Sequence, residues 1–137
     1  MGSHNFCWLD SCFSGYDESK VVVVPAGFEG RATYGKGSGQ GSRAIIEASG
    51  NMELYDEECG INPSEKGIHT VDAVKVRGGV LKVLGDVERV VGKAIDDGKF
   101  PVVLGGEHTV SLGGIRAVKG KFSVLCIDAH ADLRDEF

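Results

Sequence analysis

Two short polar clusters, each directly after an apolar run, contain the residues of this chain that could do chemistry. The sequence Gly-Gly-Glu-His ends in His108, and the sequence Asp-Ala-His-Ala-Asp comprises Asp128, His130 and Asp132. Residues two apart on an extended chain point to the same side, and the intervening alanines leave room for bound ions. Two imidazoles and two carboxylates without a thiolate favour manganese over zinc, iron or cobalt. These four residues therefore predict a metal site, and their carboxylates could bridge two ions roughly 3.5 to 4 Å apart.

A structural role is the alternative for each of these polar residues. An isolated Asp-x-His-x-Asp sequence is more often a capping and hydrogen-bonding loop than a metal site. The metal interpretation depends on His108 lying at the end of a neighbouring strand. For Glu107 we expect a place behind the ligands, or a capping role at the start of the following helix, rather than direct ligation.

The elements that must position these clusters follow the order helix, strand, helix, strand. An apolar stripe at intervals of three to four residues predicts a helix over residues 79–97. Apolar runs predict strands over residues 100–104 and 122–128, with a helix over residues 109–118 between them. Strands linked by a helix run parallel, and ligands bind beyond their carboxyl ends. The sequence thus predicts a three-layer α/β/α fold with a mainly parallel sheet.

The first half of the chain predicts further elements of the same sheet. The β-branched run 21–24 indicates a buried strand, and residues 27–41 form a long glycine-rich loop, interpreted as a flexible rim rather than a phosphate cradle. A helix is expected over residues 42–48, and short strands over residues 52–55 and 68–76. His69 has no partner motif and is expected to be an ordinary, partly exposed histidine.

Composition limits the class of protein. The chain has 137 residues, 42% of them hydrophobic and 26% charged, which fits one globular domain. Its formal net charge of −5 argues against nucleic acid as the main partner and permits a cationic ligand. We expect no membrane span and, in the absence of a signal-peptide pattern, a cytoplasmic location. The four cysteines are interpreted as reduced thiols, and Cys126 as a small buried hydrophobe.

The two polar clusters, a helix apart, resemble the first two signature motifs of the ureohydrolase family, which includes arginases and agmatinases. Four further segments resemble the agmatinase branch in the same order: Val24-Pro25-Ala26-Gly27-Phe28-Glu29-Gly30, Tyr34-Gly35-Lys36-Gly37, Ser42-Arg43-Ala44-Ile45 and Glu53-Leu54-Tyr55-Asp56. This resemblance extends from about residue 20 to the end. It implies an arginase-like fold and a binuclear manganese enzyme that releases urea from a small cationic guanidino substrate, with agmatine the best fit.

The resemblance also implies roles for individual residues. His108 and Asp132 would hold one manganese ion, His130 would hold the other, and Asp128 would bridge both and hold the hydroxide that attacks the guanidinium carbon. Arginases typically have an asparagine at the position of Arg134, which makes arginase less fitting here. Arg134 could instead bind the acid group of guanidinobutyrate or formimidoylglutamate, or pair with neighbouring acidic residues. Homotrimers or homohexamers are the oligomers that the family implies.

The sequence departs from the family pattern in one respect. The third motif, Ser-x-Asp-x-Asp-x-x-Asp-Pro, which supplies further metal carboxylates, does not occur in it. We therefore expect residues 1–137 to be a single α/β domain that is the N-terminal half of a longer ureohydrolase domain, incomplete at the C-terminus. Alone it should be almost inactive and should expose an unpaired sheet edge. A non-catalytic fragment that associates with full-length subunits is the alternative, and a metal-dependent deacetylase a more distant one.

Overall fold

The sheet that organises the molecule has three parallel strands. The computed structural model describes residues 5–30 and 35–132, and its strands are β1 (Val21–Ala26), β2 (Ile68–Thr70) and β3 (Phe100–Gly105). Their order is β2-β1-β3, so β1 is central. β1 pairs with β3 along its whole length, from Val21 opposite Phe100 to Ala26 opposite Gly105. This pairing brings the carboxyl ends of β1 and β3 to the same edge of the sheet.

The central strand β1 is buried because both of its faces are covered. Val22, Val24 and Ala26 have no exposed surface and belong to the main apolar core. Val23, whose side chain alternates to the other face, is only 3% exposed. A continuous run of β-branched residues suits such a two-sided position. The strand predicted over residues 21–24 is thus confirmed and extends to Ala26.

Among the described residues, four α-helices flank the sheet: α1 (Ser11–Ser14), α2 (Gly41–Ser49), α3 (Val80–Asp96) and α4 (Ser111–Ala117). Short 3-10 turns occur at Phe6–Trp8, Ser38–Gln40, Pro63–Lys66 and His108–Val110. Helices predicted over residues 42–48, 79–97 and 109–118 are confirmed within a few residues, the last of them preceded by a 3-10 turn. The expected stripe comprises Val80, Leu84, Val87, Val91 and Ile95. Helix α3 buries its three central members, whereas Val80 is 39% exposed, and it also buries Val83 and Ala94.

The layers follow from which helix packs on which face. Helices α3 and α4 supply most of the core residues that cover Val22 and Val24. Their close approach requires Gly113, because a Cβ there would lie 2.8 Å from both the Leu84 carbonyl oxygen and the Val87 Cβ atom. Helix α2 and the N-terminal 3-10 turn pack together, joined by the Cys7 N–H, which donates to the Ser49 hydroxyl at 2.7 Å. The three-layer α/β/α prediction is confirmed.

Two predicted strands of the first half differ from the structure. Residues 52–55 are not a strand: the chain turns after α2, and Met52 and Tyr55 remain more than half exposed at 55% and 54%. The strand predicted over residues 68–76 is regular only at Ile68–Thr70. Beyond it, the Val71 N–H still donates to Val23 and the Val74 N–H to Pro25, but the two residues between them interrupt the ladder. An edge strand has one partner only, so its pairing ends easily.

The strand predicted over residues 122–128 is also wrong for the part of the chain that the structure describes. These residues form no ladder with β3, and Leu125 and Ile127 are 86% and 92% exposed. A strand needs a neighbour for its backbone groups, and the described residues offer none on this side of β3. Cys126, predicted to be buried, is exposed for the same reason.

The cysteines are free thiols, as predicted. Cys7 is buried, Cys12 and Cys59 are exposed, and none of the four is in a disulfide. No helix among the residues with described positions combines the length and apolar character needed to cross a bilayer.

Candidate metal centre

His108 stands where β3 ends, at the first residue of a 3-10 turn. The chain reaches it through Gly105 and Gly106, and Gly106 faces the backbone of Phe28, whose carbonyl group would clash with any Cβ at this position. The turn is therefore tight because another backbone segment lies against it. The His108 side chain is 49% exposed, so a solute can reach its ring.

Asp128 lies between the two histidines. Its Oδ2 atom is 3.5 Å from Nδ1 of His108, and its Oδ1 atom is 3.1 Å from Nδ1 of His130. The backbone N–H of His130 donates to the same Oδ1 at 2.8 Å. This bond is the main reason that the pKa of Asp128 lies below its ordinary value, aided by the two imidazoles. The residue therefore remains a carboxylate, with one oxygen toward each histidine, which is the arrangement that a bridging ligand needs.

Asp132 approaches His108 from the other side. Its Oδ2 atom lies 2.6 Å from Nδ1 of His108. The backbone of Asp132 has a φ of 50°, a left-handed conformation that aspartate adopts more readily than most residues. The structure thus brings together all four residues predicted as ligands: His108 contacts Asp128 and Asp132, and His130 contacts Asp128.

These side chains fit a divalent cation by their chemistry. Imidazole nitrogens and carboxylate oxygens are ligands for manganese, zinc or iron, and Nδ1 of His108 lies 3.5 Å from Asp128 and 2.6 Å from Asp132. Asp128 and Asp132 are 28% and 54% exposed, so an ion can enter from solvent.

Cys126 is the residue of this cluster that sequence reasoning missed. One donor atom each of His108, Cys126 and Asp128 lie within 4.8 Å of one another. The signal was present in the spacing, because Cys126 is two residues before Asp128 and shares its side of an extended segment. The apolar neighbours of Cys126 led instead to the prediction of a buried hydrophobe.

Glu107 does not cap the helix that follows it, in contrast to one of the two roles expected for it. No side-chain capping bond forms at the His108–Val110 turn. Instead, Oε1 of Glu107 accepts the Gly30 N–H at 2.8 Å, and the Glu107 N–H donates to the Phe28 carbonyl oxygen at 2.9 Å. Glu107 therefore joins the glycine-rich loop to the turn that carries His108, which agrees with a place behind the ligands.

His69 and Arg134 are the two other residues for which the sequence makes a prediction. His69 is half-buried, with Nδ1 2.9 Å from the Ser14 carbonyl oxygen and its ring edge-on to Tyr16, so the prediction of an ordinary histidine is confirmed. Arg134, predicted to contact substrate, lies outside the described residues.

Comparison with known proteins identifies the family of this chain. The sequence profile of the arginase family matches residues 19–137. A protein of Synechocystis sp. named N(1)-aminopropylagmatine ureohydrolase is 39% identical over 132 residues, which cover 89% of this chain and 43% of that protein. An agmatinase of Bacillus anthracis is 34% identical, with the same coverage of both.

The solved structures lead to the same assignment. The crystal structure of agmatine ureohydrolase from Thermoplasma volcanium matches with a TM-score of 0.85 and 32% identity, covering 93% of this chain and 44% of that one. The chain thus spans less than half the length of the relatives it matches. Since the family profile covers most of the sequence and the fold agrees with a family member, the chain belongs to the arginase family of ureohydrolases.

Proposed function

We propose that this chain contributes the first half of a binuclear manganese site that hydrolyses a small cationic guanidino compound to an amine and urea. The observation that carries the proposal is Asp128, whose two oxygens face His108 and His130 at 3.5 and 3.1 Å. One carboxylate placed between two imidazoles is suited to holding two cations side by side. In this assignment His108 and Asp132 would hold one ion, His130 would hold the other, and Asp128 would be shared between them.

Bound manganese would supply Lewis acidity and a water molecule activated for attack on the guanidinium carbon. The chain's own residues would orient the metal ligands and attract a cationic substrate. The His130 N–H bond keeps the Asp128 carboxylate aligned and ionised. Asp128 and Asp132, with Glu107 behind them, place negative charge around an exposed site, which favours a cationic substrate.

The motifs of this sequence and the names of its relatives support a proposal for the substrate. The motifs resemble the agmatinase branch, while relatives at 39% and 35% identity are named for N(1)-aminopropylagmatine. Both compounds carry a guanidinium group without a carboxylate, and we propose this class. Arginine, guanidinobutyrate and formimidoylglutamate are the competing substrates, and Arg134 is the residue that would bind the acid group of guanidinobutyrate or formimidoylglutamate.

The alternative that we propose is a non-catalytic fragment that associates with full-length subunits. The chain spans 43% of its Synechocystis relative, and four ligands leave two ions incompletely coordinated without water or another polypeptide. We also propose a cytoplasmic location and assembly into homotrimers or homohexamers, as the family resemblance implies.

The test is an assay with manganese that measures urea from agmatine, N(1)-aminopropylagmatine, arginine and guanidinobutyrate, and formamide from formimidoylglutamate. The chain is assayed alone and mixed with a separately produced polypeptide corresponding to the unmatched second half of the Synechocystis relative. We expect little urea from the chain alone and urea from agmatine or its aminopropyl derivative in the mixture. Asp128→Asn is the matched control, which should abolish the activity. Absence of urea and of formamide with every substrate in the mixture would contradict the enzymatic proposal and favour the fragment.

A further inference from the structure

The glycine-rich loop is attached to the candidate metal centre through backbone contacts. The Phe28 carbonyl oxygen accepts the Glu107 N–H at 2.9 Å, and the Gly30 N–H donates to the Glu107 carboxylate at 2.8 Å. Since Glu107 directly precedes His108, this pair of bonds places residues 28–30 against the turn that presents the histidine. Gly106 permits the contact, because a side chain there would displace the Phe28 carbonyl group.

A second carboxylate, Glu29, holds the other end of the loop. Both oxygens of Glu29 lie 3.0 Å from the Gly37 nitrogen, which donates to them, and the Gly39 N–H donates to Oε2 at 2.9 Å. These two N–H groups, that of Gly39 first, hold the pKa of Glu29 below its ordinary value. Gly37 has a φ of 114°, which only glycine adopts without strain. The Glu29 side chain is exposed, yet its carboxylate holds Gly37 and Gly39 close to residues 28–30.

Glu29 is the link between these two sets of contacts. It is the residue between Phe28 and Gly30, both of which bind Glu107, while its own side chain binds Gly37 and Gly39. A displacement of the 37–39 segment is thus transmitted through one residue to the turn before His108. Gly27 strengthens the closure, because its Cα packs against the Gly39 carbonyl group with no space for a side chain.

We propose that Glu29 is a positioning residue of the metal centre: its carboxylate closes the glycine-rich loop, and the closed loop holds Glu107 and, through it, His108. The inference deepens the function proposed above and rests on it for the identity of the ions. The bonds themselves use only residues of this chain.

The experiment follows the backbone amides of the isotope-labelled chain by NMR. In the unmodified protein, the Gly37 and Gly39 amide protons should shift together as Glu29 titrates, with a midpoint below the ordinary value of about 4.3. This shared shift should vanish in Glu29→Gln. In Glu29→Ala the Glu107 amide should exchange with solvent at least about threefold faster, and Glu29→Gln, which retains a neutral acceptor, should restore part of the protection.

Glu47→Gln is the matched control, since it removes the same charge from the exposed face of α2. It should leave the Gly37, Gly39 and Glu107 amides unchanged. If Gly37 and Gly39 lose their shift in Glu29→Gln but the Glu107 amide is unaffected even in Glu29→Ala, Glu29 closes the loop only locally and the proposal is overturned. The proposal is also overturned if the Gly37 and Gly39 amide protons of the unmodified protein do not shift as Glu29 titrates.

Manganese titration provides the second readout and separates this proposal from the proposed function. Glu29→Ala should weaken Mn²⁺ affinity about threefold, Glu29→Gln less, and Glu47→Gln not at all. An unmodified chain that binds no Mn²⁺ would contradict the metal assignment, while coupling between Glu29 and the Glu107 amide would still support the positioning role. Unchanged Mn²⁺ affinity in Glu29→Ala, in a chain that binds the ion, would contradict the positioning role alone.

Discussion

The two segments that supply the metal ligands are built differently, although both are apolar in sequence. Strand β3, which leads to His108, pairs with β1 along its full length, and its Val103 packs against the main core. Residues 122–127, which lead to Asp128, have no ladder partner among the described residues, and Ile127 is 92% exposed. Yet their polar ends meet, with Nδ1 of His108 2.6 Å from Asp132.

This difference shows what an apolar run requires to become a strand. β3 has a buried neighbour that satisfies its backbone groups and a helix layer that covers its side chains. Residues 122–127 have comparable composition but neither of these. Exposed, unpaired apolar segments bind other strands readily, so this segment and the free edge of β3 are where association or aggregation should begin.

A charge introduced into the central strand β1, on which β3 pairs, and one introduced into residues 122–127 should give the largest contrast. Val24 of the central strand is fully buried, so Val24→Asp buries a carboxylate without a partner and should cost several kcal/mol, enough to abolish cooperative folding. Leu125 is 86% exposed, so Leu125→Asp should change the free energy of unfolding by less than about 0.5 kcal/mol. Denaturant unfolding measures both variants.

The same Leu125→Asp variant should also reduce self-association, as measured by light scattering against concentration. A large loss of stability in Leu125→Asp would mean that residues 122–127 are packed in solution, and the contrast between the two segments would not hold.

Removal of a ligand at either segment should have the next largest effect. Mn²⁺ should raise the melting temperature of the unmodified chain, because an ion that binds only the folded state stabilises it. His108→Ala and Asp128→Asn should each weaken Mn²⁺ binding by at least about tenfold. His69→Gln is the control, since His69 contacts Ser14 and Tyr16 instead. If His108→Ala bound Mn²⁺ normally, the two segments would not share a site.

Gly113 and Gly114, which are adjacent in α4, provide a finer test of how α4 packs against α3. Gly113→Ala should destabilise the protein by about 1–3 kcal/mol, because its Cβ would press on Leu84 and Val87 at 2.8 Å. At Gly114 the nearest atom is 3.9 Å away, so Gly114→Ala should stabilise α4 by about 0.5–1 kcal/mol. Thermal unfolding of the two variants measures this. Equal effects of both substitutions would show that α4 is not packed against α3 as described.

The smallest expected effect is a pH dependence at the surface of α3. Lys93 and then Tyr16 donate to Asp97 at 2.6 Å each, which lowers the pKa of Asp97. A lowered carboxyl pKa stabilises the fold above the unfolded-state value of about 3.9, and this contribution is lost as pH falls through the folded-state pKa. Asp97→Asn should therefore show a slightly smaller loss of melting temperature between neutral and acidic pH. An identical pH profile would mean that these exposed contacts contribute nothing.

Much of the fold could be predicted because its signals are local. The apolar stripe from Val80 to Ile95 predicts α3, and the β-branched run of β1 predicts a doubly buried strand. The sequence could not reveal that residues 52–55 turn instead of pairing, because pairing depends on a neighbour elsewhere in the chain. Tyr55 illustrates this: it has strand propensity, but Asp56 bridges to Ile61 and closes a turn.

The candidate site likewise has features that the sequence predicts and features that it does not. The chemistry of His108, Asp128, His130 and Asp132, and their position after apolar runs, are properties of the sequence. The bonds of Glu29 to Gly37 and Gly39 are not predictable from spacing, because they depend on how the loop folds back. The exposure of Cys126 likewise depends on the absence of a paired neighbour among the described residues.

By itself, the sequence determined the kind of chemistry and the parallel α/β architecture, since side-chain donor types and hydrophobic periodicity are local properties. Only the tertiary structure decided which apolar runs became strands, and how Asp128 lies between the two histidines. It also decided that two carboxylates, Glu29 and Glu107, hold the loop against the site. The physical reason is that backbone pairing and convergence of charged groups are satisfied between segments distant in the chain, and no local pattern encodes their partners.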